Sequence, residues 1–577
     1  MTVSSEETSA ANLTVNAKRA WLFALLLSVA TALAIISPFF WLGNASGHDF
    51  SFHVASWLDA ATQWREGILF PRWAEGANHG FGEPRFIFYP PISWMFGAVL
   101  GLVVPWIFVP AVFIVLTQTL AGLCAFALGR RLFPQRGALV CAVYYAANPY
   151  ALLIVYMRSD FAEQLALAFF PLLFLAAAEV LGLFDPPARS HRRSIVLLAI
   201  AFAAVWLTNA PAGVVASYSL AMLFVWTAAK KKSWRPLLRG TAALALGFGL
   251  AGFYLVPAAY EQRWVNISLA LASGLQPSQN FLYAVIADAE HNAFNRIASN
   301  TAVLIIVLTG IFAALNLPRS RSKAQPLNKS LWGTLVALSV TAAFLMLRIS
   351  NILWEALPQL RFVQFPWRWM SILAIPFAVF ISAAIVQKRA RGYSAAAMIA
   401  VLAVLACTAT YMVRRTWWDS EDVPVLLEAL QNDEGFEGVD EYDPLGDDHS
   451  LLPEKLERVI VTPGPEADAK LKSPVEVTVQ GWTAEKKEMC ITTREPAVLK
   501  LRLLDYPAWR VEVNEAVVVP EQTGETAQIT VPLAAGSSRV LVRFIRTPDR
   551  TIGGLICATS ILIALLLFAS RPRESRQ

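Results

Sequence analysis

Runs of about twenty apolar residues, repeated along most of the chain, constrain its fold more than any other feature. They lie at about 20–42, 91–128, 137–157, 161–184, 194–209, 211–229, 240–260, 300–317, 331–347, 369–387, 393–413 and 552–570, and Pro105 and Pro110 interrupt the second. A bilayer-spanning helix needs about twenty such residues, because each rises about 1.5 Å and no water is present to satisfy an open backbone. The charged share is only 16%, against nearer a quarter in a soluble globule, and the mean hydropathy is +0.49. The chain therefore reads as a mainly α-helical polytopic membrane protein. The first run is too long for the apolar core of a signal peptide and reads as a span.

The run at 91–128 holds one span or two, and charge decides between them. Lys and Arg collect on the cytoplasmic side of membrane proteins. If 91–104 lies on the membrane surface and only 106–128 crosses, each later cluster falls on the side of Lys18 and Arg19. These are Arg130, Arg131 and Arg136; Arg189, Arg192 and Arg193; Lys230 to Lys232 with Arg235 and Arg239; Arg319, Arg321, Lys323 and Lys329; Lys388, Arg389 and Arg391; and Arg571, Arg573 and Arg576. Twelve spans are expected, with both termini cytoplasmic and an outer loop over 43–105 that includes a juxtamembrane helix. The net charge of +6 is spent in these clusters instead of forming one stripe, which argues against nucleic acid as a partner. Four of the five cysteines lie in apolar runs and only Cys490 does not, so no disulfide framework or paired-cysteine metal motif is available.

The expected organisation is a disordered cytoplasmic tail over 1–19, a transmembrane unit over 20–413, an extracytoplasmic β-rich domain over 414–550, and a final span with a cytoplasmic tail over 551–577. The β-rich segment opens with an acidic stretch over 432–448. It continues with the alternating sequences VEVTV, AVLKLRLL, WRVEV, AQITVPL and RVLVRFI, which suggest a small β-sandwich.

Polar chemistry concentrates in the loops of the outer face. His48 and Asp49 follow the first span, and His53 is four residues beyond Asp49, so on a helix Asp49 and His53 share a face. Asp49 either caps that helix or serves as a general base or cation ligand. Arg158 precedes Asp160 and Glu163 at the start of the fourth span. There the two carboxylates either complement the helix dipole or contribute to a site at the membrane edge. In RFVQFPWRWM, Arg361 and Arg368 alternate with aromatic residues. An interfacial aromatic belt has this composition, and so does a pocket that grips a lipid phosphate. The sequences GILFPRW (67–73) and FIFYPPISW (86–94) offer aromatic surface to the membrane interface or to a sugar. Tyr506 and Trp509 either stack on a glycan or fill the β-domain core.

The succession GHD-x-x-x-H, G-x-L-F-P-R-W and G-x-P-x-F-x-F-Y-P-P, with MRSDFAEQLALAFFPLLFL, QFPWRW, DEYDP and LDYPAWRVEVNEA further on, resembles bacterial multi-pass proteins labelled "6-pyruvoyl-tetrahydropterin synthase-related". That family is in turn similar to GT-C class glycosyltransferases. The resemblance runs along nearly the whole chain. It implies a GT-C-like bundle in the bacterial cytoplasmic membrane that transfers a hexose or pentose from a polyprenyl-phosphate donor to a glycan, lipid or protein acceptor on the outer face. It puts the essential Asp of the first outer loop at Asp49 and the second acidic motif at Asp160 and Glu163. No DxD or ExD pair stands there, which puts metal dependence in doubt; no cofactor is implied with certainty, and a divalent cation is the one possible. On this reading Asp49 is the base, His48 and His53 position it, and Arg158, Arg361 and Arg368 meet the leaving phosphate. A transporter or flippase, or a non-catalytic assembly protein for envelope glycans, is the alternative.

Overall fold

The computed structural model describes residues 5–184, 190–318, 327–386, 391–446, 452–453, 455–463, 475–521 and 526–569. The basic residues Arg189, Arg319, Arg321, Lys323, Lys388, Arg389, Arg571, Arg573 and Arg576, on which part of the topology argument rests, lie outside them. Among the described residues, nine helices are long and apolar enough to cross a membrane: Lys18–Leu42, Trp106–Leu132, Gln135–Arg158, Phe161–Val180, Ala210–Lys231, Ala289–Leu315, Pro366–Val386, Ala395–Val413 and Pro548–Ala569. Two further pairs, Arg235–Leu250 with Gly252–Trp264 and Lys329–Leu345 with Arg348–Ala356, bend by 76° and 89° and bring the number to eleven if each pair is one span.

The expected count of twelve is therefore not reached. The apolar run at 194–209 forms the sixteen-residue helix His191–Trp206, which at 1.5 Å per residue extends about 24 Å, short of the roughly 30 Å hydrocarbon layer. Pro91–Val103 is shorter still, a thirteen-residue apolar helix packed along Phe50–Arg65. The first helix begins at Ser5 and runs to Ile36.

Burial ranks the helices from centre to rim. Phe161–Val180 and Pro366–Val386 have 83% of their apolar window covered by protein, whereas Ala395–Val413 and Pro548–Ala569 have 17%. The two central helices begin with the segments that carry Asp160 and Arg368, which sets these two residues at one end of the middle of the bundle.

The C-terminal domain is antiparallel throughout. One sheet orders Glu476–Thr483, Lys486–Thr493, Gly536–Phe544, Trp509–Val513 and Ala516–Val518; the other orders Val459–Pro463, Ala497–Leu504 and Gln528–Leu533. Each of the five alternating sequences supplies a strand. Inward-facing Met489, Ile491, Leu499, Leu501, Val511, Ile529, Val531, Val540 and Val542 form a core between the sheets, as the two-residue period of a strand requires.

The outer loop completes that core. Trp73 is fully buried, with ring centroids 5.4 Å from Trp509 and 5.9 Å from both Tyr506 and Phe544. Gly82, at φ +78°, leaves space for it, because a Cβ there would stand 1.9 Å from Trp73 Nε1. Asn44 and Ala45 pair as a short strand with Asp419 and Trp418, and Asn78 Nδ2 donates to Asp443 Oδ1 at 2.7 Å. The loop after the first span and the segment after Val413 are thus one packed unit at one end of the bundle.

Candidate functional site

The site begins with a close approach of two backbones. A Cβ on Gly47 would lie 2.5 Å from the Met157 carbonyl oxygen, so only glycine lets the loop rest against the end of the third span. Gly47 N donates to Ser159 Oγ at 3.0 Å, and Ser159 Oγ donates to the Ala45 carbonyl at 2.6 Å. The Asp49 amide donates to the Arg158 carbonyl at 3.0 Å. Ile154–Arg158 is a single π-helical turn that ends at Ser159 in the left-handed region, φ +54°. Such insertions re-aim side chains and often mark functional positions; here the turn delivers Arg158 to Asp49.

Asp49 stands at the N-terminus of Phe50–Arg65 but makes no capping bond. Its Oδ2 instead accepts from both Nε of Arg158, at 3.0 Å, and Nη2 of the same guanidinium. Asp160 does cap its helix, accepting from the Glu163 amide at 2.8 Å, so the helix-terminal reading holds for Asp160 and fails for Asp49. The Asp160 carboxylate also faces His53 Nε2 at 3.5 Å, Arg158 Nη2 at 3.6 Å and Arg368 Nη2 at 3.4 Å. Burial alone would raise its pKa; His53 and the two guanidiniums outweigh that and hold the carboxyl below the ordinary carboxylate range.

Glu163 is bound from two sides. Oε2 accepts from Arg368 Nε at 3.0 Å and Oε1 accepts from the Tyr150 hydroxyl. Arg368 spends its remaining donors on the Val363 carbonyl, 3.0 Å away, and on Gln364. Phe365 lies between the two arginines, with Arg158 Cζ 4.9 Å and Arg368 Cζ 5.0 Å from its ring centroid. Trp367 is also against Arg158, at 5.4 Å. The sequence QFPWRW therefore does more than line an interface: its aromatic rings pack the guanidiniums that hold the carboxylates.

Exposure separates the members of this network. The side chains of Asp160, Glu163, Arg368 and His53 are 4%, 3%, 6% and 2% exposed, whereas that of Asp49 is 31% exposed. Three carboxylates against two guanidiniums leave one net negative charge while His53 is neutral. Of the three carboxylates, Asp49 is the one open to water.

Of the other residues singled out from sequence, His48 is exposed beside Phe294, their ring centroids 4.9 Å apart. Arg361 is exposed against Phe362 and takes no part in the ion pairs around Asp160. Arg368 is buried with its donors occupied by Glu163, Asp160, Val363 and Gln364. Tyr506 and Trp509 are corrected: both are buried, and Tyr506 donates its hydroxyl to Glu261 Oε2 at 2.6 Å, so neither offers a face to a glycan. Among the described residues no three His, Cys, Asp or Glu side chains are grouped to hold a metal ion. Guanidinium, hydroxyl and amide donors already bond Asp160 and Glu163, so this donor set does not fit a resident cation. Tyr150 was missed. Its signal lay in Asn148-Pro149, which starts a new helix through the Asn148 side chain and so turns Tyr150 toward Glu163.

A family model described as "6-pyruvoyl-tetrahydropterin synthase related domain; membrane protein" matches residues 86–415, a stretch that holds Arg158, Asp160, Glu163 and Arg368 and begins after Asp49. No curated protein matches the chain. Among solved structures, the arabinofuranosyltransferase AftD from Mycobacteria is similar with a TM-score of 0.43 and 16% identity, over 72% of this chain and 29% of that one. The Archaeoglobus fulgidus oligosaccharyltransferase, tethered with an acceptor peptide, is similar with a TM-score of 0.30 and 15% identity, over 68% of this chain and 54% of that one. The chain thus spans less than a third of the length of the first and about half of the second.

Proposed function

We propose that this chain, which belongs to the 6-pyruvoyl-tetrahydropterin synthase-related membrane proteins, is a membrane glycosyltransferase. It moves a sugar from a polyprenyl-phosphate donor to a cell-envelope glycan, lipid or protein on the outer face of the bacterial cytoplasmic membrane. The observation that carries the reading is the asymmetry of Asp49. Oδ2 is anchored by Arg158, while Oδ1 has no partner among the described residues and its side chain is open to solvent. A carboxylate bonded through one oxygen and free on the other suits a general base.

In the step proposed, an acceptor hydroxyl gives its proton to Asp49 Oδ1 as its oxygen attacks the anomeric carbon. The bond from that carbon to the phosphate oxygen breaks, its electron pair leaves with the lipid phosphate, and the configuration inverts. Arg158 still has Nη1 unbonded among the described residues, and this donor would meet the negative charge that develops on the phosphate. Arg361 and His48, both exposed, are the further candidates to meet donor or acceptor. Asp160, Glu163, His53, Arg368 and Tyr150 fix Arg158 and hence Asp49.

The test is transfer from a radiolabelled polyprenyl-phosphate sugar by membranes bearing wild type or Asp49→Asn. Asp49→Asn is expected to insert and melt as wild type does and to lose transfer. An active Asp49→Asn protein overturns the assignment.

A further inference from the structure

Two loop motifs, GILFPRW and FIFYPPISW, converge away from Asp49, although Tyr89 of the second also packs against His53 at 5.8 Å between ring centroids. Phe70 and Arg72 of the first and Phe86 of the second line a cavity of about 190 Å³, closed by Phe253, Arg546 and Arg550. Arg546 and Arg550 flank the start of Pro548–Ala569, the most peripheral of the spans along with Ala395–Val413. The cavity therefore sits where a membrane-facing helix enters the bilayer, and exposed Ile552 and Leu555 continue apolar surface below it.

We propose that this cavity binds the phosphate headgroup of a membrane lipid, whose hydrocarbon chain lies along Pro548–Ala569. Two of the three guanidiniums are held in place by carboxylates: Arg550 donates from Nε and Nη2 to Glu261 at 2.8 Å each, and Arg72 Nη1 donates to Glu485 at 3.2 Å. Arg546 is different. Among the described residues its only hydrogen bond is a 3.5 Å contact to the Arg550 carbonyl, and it has no carboxylate partner there. Asp549 is buried and bears on Glu261 but does not line the cavity. The lining is thus arginine and apolar surface, with Arg546 as the donor still free. Guanidinium forks match phosphate oxygens, and the aromatic walls match the first methylenes of a lipid chain. Gly554 leaves room for the Arg546 side chain, because a Cβ there would stand 3.2 Å from its Nη2.

The site is separate from Asp49, and its test does not depend on glycosyl transfer. Purified full-length protein, delipidated in detergent, is titrated with phosphatidylglycerol, polyprenyl phosphate, phosphatidylcholine or inorganic phosphate, and bound lipid is read by native mass spectrometry. Saturable retention of phosphatidylglycerol or polyprenyl phosphate, at least tenfold tighter than phosphatidylcholine and weakened to the same degree in Arg546→Gln, supports the site; whichever of the two binds more tightly identifies its lipid. Arg546 is exposed, so this substitution leaves the core alone, and Asp49→Asn is expected to bind lipid as wild type does. Equal retention of phosphatidylcholine, unchanged retention in Arg546→Gln, or displacement by inorganic phosphate at equal concentration overturns it.

Discussion

Arg158 directs both its Nε and its Nη2 at one oxygen of Asp49, Oδ2, across 109 positions of sequence. Lysine carries the same charge but has a single nitrogen, so it cannot reproduce that fork. Arg158→Lys is expected to keep the fold and lower kcat for sugar transfer by about 10-fold to 100-fold, with KM changed less. Equal kcat in Arg158→Lys would show that the charge alone suffices.

Arg368 and Arg361 lie seven residues apart in one motif, yet they should behave in opposite ways. Removing Arg368 leaves Glu163 buried without its ion-pair partner and Asp160 with Arg158 as its remaining guanidinium, and breaking a buried pair of this kind costs about 3–5 kcal/mol. Arg368→Gln should melt well below wild type in detergent, whereas Arg361→Gln should melt with wild type. Thermal scanning of the two variants side by side checks this.

Gly47→Ala places a Cβ 2.5 Å from the Met157 carbonyl oxygen, where the backbone has no flexible side chain to move aside. The loop must shift, and Asp49, two residues on, shifts with it. Stability should fall by about 1–3 kcal/mol, and transfer should fall more steeply than stability. A fully active Gly47→Ala protein would show that the loop position is not critical.

Burial pushes the Asp59 carboxyl up to about 7, against donation from Gln63 and the Gly76 amide. Because the folded value lies above the ordinary 3.8, the folded state binds this proton more tightly than the unfolded chain. The resulting stabilisation is complete below about pH 4 and is lost as pH rises through about 7. Asp59→Asn should therefore flatten the fall in melting temperature between about pH 5 and pH 8. Melting curves across that window, with the same slope in both proteins, would refute the role of Asp59.

Tyr506→Phe removes the hydroxyl that donates to Glu261 Oε2 at 2.6 Å and leaves the packed ring against Trp73. It should cost about 1–2 kcal/mol of stability and leave glycan binding unchanged. A glycan-array measurement on the full chain separates this core role from a stacking role.

Hydropathy and charge alone were enough to identify a membrane protein, and a period of two located five of the strands. The spacing of Asp49 and His53 already put them on one helical face, and that face meets Arg158 and Asp160. What one dimension could not carry was pairing. Arg361 and Arg368 are equivalent by composition, but only the start of the central helix Pro366–Val386 brings Arg368 to Glu163. Tyr506 and Trp509 looked available until the loop around Trp73 covered them. The expected twelve spans exceed the nine to eleven among the described residues, because hydropathy sums apolar residues without registering the 76° and 89° bends or the short helix His191–Trp206. A buried charge is stable only opposite its counter-charge, and which segment supplies that counter-charge is set by packing between helices far apart in the chain. The sequence by itself therefore determined the kind of protein and the location of its polar loop; only the tertiary structure decided which of the carboxylates it brings together, Asp49, Asp160 and Glu163, stays open to solvent.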